Sequence, residues 1–136
     1  MRVSRGPSWL AAAVLVGLGY AAVGILFAMP TTHVKAWRLA AWAVSAVGYA
    51  AHIVYERFRQ QSSPASGALR VAVAAALGGF GLAVGANIHS LSTGSANPHR
   101  PLLLIALGIW PVLTAVPAFL IALGVNLALA RAAGKS

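Results

Sequence analysis

Few residues in this chain can do chemistry, and most of those fall on one line. Arg38, Trp42, Ser45, Tyr49, His52 and Glu56 follow one another at intervals of 4, 3, 4, 3 and 4. That rhythm puts all six on a single face of a helix. Almost everything between them is Leu, Ala, Val or Ile. A guanidinium, two hydroxyls, an imidazole and a carboxylate along one helix face would suit a path for ions or protons. Arg38 would mark one mouth, Ser45 and Tyr49 the middle, and His52 with Glu56 a proton or cation site at the other end, since imidazole titrates near neutral pH. The plainer alternative is a core helix that turns its hydroxyls and aromatic rings inward, where interhelical hydrogen bonds average about 0.6 kcal/mol. Arg38 and Glu56 would then simply snorkel from the helix ends.

Other chemistry is largely excluded. The chain has no cysteine and one acidic residue, Glu56. Disulfides, thiolate metal sites and paired-carboxylate catalysis are therefore absent. Ser45 and His52 stand two helical turns apart, too far for a nucleophile and its base, so no catalytic residues and no enzyme are expected. His33, His89 and His99 lie toward one membrane side without a supporting Cys, Asp or HExxH pattern, so neither a metal nor any cofactor is expected. Asn87 and Asn126 read as span-end polar residues engaged in capping or interhelical bonds.

The elements that must carry these residues are membrane helices. Of 136 residues, 60% are hydrophobic and 8% charged, against about 25% charged in a soluble domain. A helix needs about 20 apolar residues to cross a bilayer, and four stretches qualify: 8–29, 36–55, 68–89 and 101–130. The first run is longer than a signal-peptide h-region of about 7–15 residues, so a retained span is expected. Apolar runs without alternation argue against an outer-membrane barrel. The expected fold is all-α: a single transmembrane domain over residues 1–136, with four transmembrane helices in an up-down bundle packed around the second.

Orientation follows from the basic residues. Arg2, Arg5, Arg57, Arg59, Arg70, Arg131 and Lys135 fall on one side, against Lys35, Arg38 and Arg100 on the other. Seven against three predicts both termini in the cytoplasm. The net charge of +9 thus reads as orientation and attraction to anionic headgroups. The scatter over both sides excludes a nucleic-acid stripe.

Small residues supply the expected packing faces: Gly17 and Gly24 on the first span, Gly78, Gly81 and Gly85 on the third, and Gly124 on the fourth. Tyr20, Trp110 and Thr114 fall near mid-depth with Ser45, a candidate central pocket. Pro111 and Pro117 interrupt the fourth span and predict a kink or tilt. With short loops and few reactive groups, the expected role is a non-enzymatic subunit, stabiliser or adaptor of a larger membrane assembly. The alternative is a small oligomeric transporter or channel using the second-span seam. Expected partners are the lipid bilayer and other membrane subunits or further copies of the chain. The alanine- and glycine-rich design points to a bacterial inner (plasma) membrane.

Overall fold

A computed structural model describes residues 8–92 and 98–134. These residues form four helices: α1 (Trp9–Ala28), α2 (Val34–Phe58), α3 (Pro64–Ser92) and α4 (Arg100–Ala133). No strand occurs among the described residues. Arg2, Arg5 and Lys135, used above for orientation, lie outside them.

Local sequence explains the helix starts. Ser8 caps α1, its side chain accepting from the Ala11 N–H at 3.3 Å. The Ser63 hydroxyl accepts from the Ser66 N–H at 3.3 Å, and Pro64 fills the first helical position of α3. A serine cap followed by proline satisfies one orphan donor and removes another. His33 opens α2 in the left-handed region at φ 53°.

α1, α3 and α4 are each long and apolar enough to cross a membrane. α2 falls short of that standard despite its 25 residues, because Arg38, Trp42, Ser45, Tyr49, His52 and Glu56 dilute its apolar character. At about 1.5 Å per residue, the 34 residues of α4 outrun a hydrocarbon core of about 30 Å. Such a helix tilts, kinks or projects into the headgroup region.

The hub of the bundle is α3, not α2. α1 packs on α3 through small residues: a Cβ built at Gly17 would lie 2.7 Å from the Leu77 Cβ, and one at Gly81 would lie 2.6 Å from the Ala21 Cβ. Gly24 meets Leu82, and Gly85 meets Ile25 at 3.1 Å. These pairs climb both helices together, so α1 and α3 run in the same sense. α4 runs antiparallel to α3, with Asn126 beside Gly67, Thr114 beside Gly79, and the Asn87 amide donating to the Leu103 carbonyl at 2.8 Å. α2 runs antiparallel to α1, joined by Tyr20 against Gly48 and by an edge-on Phe27–Trp37 pair at 5.5 Å.

Glycine decides which helix becomes the hub, because transfer out of lipid gives helices no hydrophobic reason to associate and close backbone approach must do so. α3 carries Gly78, Gly79, Gly81 and Gly85 around its girth and so accepts neighbours on two sides. The central part of α2 offers only Gly48. A compact apolar cluster of Ile53, Ala68, Val71 and Ala122, flanked by Tyr49, Phe119 and Leu123, joins the C-terminal half of α2 to α3 and α4.

Two expectations about packing need correction. Gly124 faces open space, with nothing within 4 Å of a Cβ built there. Gly79, absent from the expected set, is a tight contact: its Cβ would lie 2.6 Å from the Thr114 hydroxyl and 3.1 Å from the Trp110 carbonyl.

Candidate functional site

The face shared by the six seam residues does not stay in one environment. Glu56 is fully buried, His52 is 3% exposed, and Tyr49 and Ser45 are half-buried. Trp42 is 77% exposed, and exposed Arg38 lines a crevice with Gly24, Phe27, Ala28, Val34 and Ala41. The alternative of a core helix with its whole polar face turned inward therefore fails at Trp42, in the N-terminal half of α2. The physical reason is the distribution of partners: α3 and α4 pack on α2 around Tyr49, Ile53 and Glu56, while α1 meets it at Gly48 and Trp37. Tyr49 ties α2 to α4 by donating its hydroxyl to the Ala118 carbonyl.

Tyr20, Trp110 and Thr114 do not form a shared pocket. Tyr20 packs on Gly78, Thr114 packs on Gly79, and α3 lies between them. Trp110 is 50% exposed. The Thr114 hydroxyl lies 2.9 Å from the Trp110 carbonyl and 3.1 Å from those of Pro111 and Ala75. With one proton to donate, it serves one acceptor at a time, and the Ala75 contact ties α4 to α3. The Tyr20 hydroxyl is buried without a hydrogen-bond partner.

The C-terminal half of α2 builds a polar cluster to which all four helices contribute. Glu56 Oε2 accepts from Arg70 Nη1 of α3 and from Ser62 Oγ, each at 3.0 Å. Arg70 Nη1 also donates to Ser62 Oγ at 2.9 Å, so carboxylate, hydroxyl and guanidinium form a closed triangle. The Arg70 guanidinium lies 5.4 Å from the Trp9 ring centroid of α1, a cation–π distance. From α4, Asn126 is 1% exposed and donates from Nδ2 to the Pro64 carbonyl at 3.4 Å. Gly67 stands where these parts converge, and a Cβ there would lie 3.3 Å from Asn126 Nδ2 and 3.8 Å from the Glu56 Cβ.

Satisfaction in this cluster is incomplete. His52 Nε2 and Glu56 Oε1 stand 3.7 Å apart, beyond hydrogen-bond length. Both His52 nitrogens, Glu56 Oε1 and Asn126 Oδ1 are buried without a hydrogen-bond partner. Buried polar groups are paired as a rule, and each exception calls for an explanation.

Sequence reasoning paired His52 with Glu56 as a candidate proton or cation site; its alternative, that Glu56 snorkels from the helix end, fails because Glu56 is fully buried. Arg70, Ser62, Gly67 and Asn126 were missed as its surroundings. A signal for Arg70 exists: Glu56 and Arg70 each stand seven positions from Ser63. In an antiparallel hairpin, such residues face each other. His33 and His99 occupy the N-cap positions of α2 and α4, and His89 lies in the last turn of α3. Among the described residues, no three His, Asp or Glu side chains gather at a point that could hold a metal ion. Comparison with protein-family models, curated proteins and solved structures finds no match to this chain.

Proposed function

We propose that the chain is a four-span integral membrane protein with both termini in the cytoplasm. It serves as a non-enzymatic subunit or adaptor of a larger membrane assembly, docking through the outer half of α2. The parallel course of α1 and α3 supports the fourth span: two adjacent helices crossing in one sense require α2, which links them, to cross back. Arg57, Arg59, Arg70 and Arg131 gather at the end that carries the polar cluster, against Lys35, Arg38 and Arg100 at the other, which supports a cytoplasmic cluster end. The span-only design, rich in alanine and glycine, supports a bacterial inner membrane.

The observation that carries the docking reading is Trp42. It is 77% exposed and lies four residues from the middle of α2, about 6 Å along the axis and so well inside the hydrocarbon. Tryptophan favours the membrane interface, and its indole N–H seeks an acceptor that lipid tails do not supply. A neighbouring subunit supplies one. The transport alternative rests on the His52–Glu56 end alone, because the seam opens outward at Trp42.

A photo-crosslinker at Trp42 in native membranes is expected to capture a discrete second polypeptide, while the same probe at Leu15, 67% exposed on α1, captures lipid. Equal, diffuse labelling from both positions would sink the docking reading. Orientation has its own test, simplified by the lack of native cysteine. Ser4→Cys and Ser136→Cys are each expected to resist an impermeant thiol reagent in intact cells and to react once the membrane is opened. Labelling of either from outside reverses the orientation.

A further inference from the structure

We propose that the crevice beside Arg38 binds one anionic glycerophospholipid, with its phosphate on the guanidinium and the upper part of one acyl chain between α1 and α2. Gly24, Phe27 and Ala28 of α1 and Val34, Arg38 and Ala41 of α2 line this crevice. Every side chain there is apolar except Arg38, a cation. Arg38 is exposed, and its guanidinium makes no ion pair or hydrogen bond with another described residue. The one acidic side chain of the sequence, Glu56, stands 18 residues further along α2, about 27 Å along the axis, and already holds Arg70. The counter-anion for Arg38 therefore comes from outside the bundle.

This site rests on the crossing of α2 proposed above. The 25 residues of α2 rise about 37 Å against a hydrocarbon core of about 30 Å. Centred in the bilayer, the helix begins about 4 Å outside the core, and Arg38, about 6 Å along from Val34, lies about 2 Å inside it. From that depth a guanidinium reaches back to the level of the lipid phosphates, where charge-assisted hydrogen bonds to phosphate oxygens are available. Ala41 and Gly24 lie deeper, among acyl chains. A gap at that depth forfeits dispersion contacts unless something fills it, and hydrocarbon is the filler at hand. The crevice volume, about 120 Å³, falls well below the about 300–1,000 Å³ of a small-molecule pocket, which suits a narrow chain. Lys35 stands three residues before Arg38, on the same side of α2, and no acidic side chain lies at this end. A choline or ethanolamine headgroup would set an ammonium beside two cations, whereas a glycerol headgroup sets none. Trp42, one turn deeper, stays exposed for the subunit contact proposed above.

The test is native mass spectrometry of the full chain in detergent micelles, titrated in parallel with phosphatidylglycerol and phosphatidylcholine of identical acyl chains. The wild-type protein is expected to hold its first phosphatidylglycerol about fivefold more tightly than phosphatidylcholine, the effect of about one basic side chain at a membrane surface. Arg38→Gln is expected to remove that preference. Ala41→Leu, which fills the crevice and leaves the charge in place, is expected to weaken retention of both lipids. Arg131→Gln, at the opposite end of the bundle, is expected to change neither. Absence of a preference in the wild-type protein overturns the proposal, and that reading depends on no variant folding. An equal loss in Arg131→Gln, the mark of general attraction to a basic protein, or undiminished retention in Ala41→Leu also overturns it. The crossing of α2 is checked apart from lipid: Thr32→Cys is expected to react with an impermeant thiol reagent from outside intact cells, and Gln60→Cys is not. If that pattern fails, the crossing of α2 falls; if it holds and the lipid preference is missing, the lipid site alone falls.

Discussion

Arg70→Met is expected to destabilise the isolated protein by about 3 kcal/mol, among the largest effects of any single side-chain truncation in the bundle. Glu56 is fully buried and Arg70 is its one cationic hydrogen-bond donor among the described residues. Removing one member of a buried pair costs about 3–5 kcal/mol, because the charge left behind is neither solvated nor compensated. The low end applies because the Arg70 side chain is 25% exposed and its pairing is partly screened. Two further contacts go with it, the hydrogen bond to Ser62 and the cation–π contact with Trp9. The converse substitution is milder. Glu56→Gln leaves Arg70 free to reach toward headgroups and keeps an amide that can still accept from Ser62, so about 1–2 kcal/mol is expected. The double variant Glu56→Gln/Arg70→Met is expected to recover part of the Arg70→Met loss, since no buried charge remains unpaired. Reversible unfolding in mixed micelles measures all three. If Arg70→Met proves no worse than Glu56→Gln, the buried pair does not hold the cluster.

How much of this was legible beforehand depends on the kind of information each feature needs. Helix identity and three of the spans follow from apolar run length, a property of the chain alone. The 4-3-4-3-4 spacing sets those six residues along one side of α2, because periodicity records which residues of a helix lie together. Periodicity does not record what that face meets. Trp42 and Glu56 occupy one seam, yet one is 77% exposed and the other fully buried, because α4 reaches α2 near Tyr49 and not near Trp42. α2 itself was taken as the hub because its polar residues drew attention. Packing in a membrane follows small residues instead, and those concentrate in α3.

The cluster shows the same division. A single carboxylate in an apolar chain demands a cation, and the symmetric placement of Glu56 and Arg70 about the turn at Ser63 names it. Nothing in the linear order brings Asn126 to Gly67, since α4 arrives there only after the chain has crossed back from Ser92. The packing glycines were likewise indistinguishable by type. Gly79 and Gly124 are both helical glycines in apolar runs, and only the position of Thr114 separates the tight one from the open one.

That separation carries the second large prediction. Gly17→Ala is expected to destabilise the bundle by about 1–2 kcal/mol, against a gain for Gly124→Ala. Alanine is favoured over glycine within a helix by about 0.5–1 kcal/mol, so an unobstructed substitution stabilises. At Gly124 nothing lies within 4 Å of the added methyl, and the full gain should appear in the isolated protein. At Gly17 the methyl would meet the Leu77 Cβ at 2.7 Å and the Ala74 carbonyl oxygen at 2.9 Å. Both belong to or adjoin the α3 backbone, so neither can swing aside and the helices must separate, an overpacking cost of about 1–3 kcal/mol. Gly24→Ala meets only the end of the Leu82 side chain, which can change rotamer, so its effect should be smaller. Unfolding of the three variants under one condition should give the order Gly124→Ala, Gly24→Ala, Gly17→Ala from most to least stable. A Gly17→Ala protein as stable as Gly124→Ala would mean that α1 does not approach α3 at backbone distance. The parallel course of those two helices, on which the crossing of α2 rests, would then lose its support.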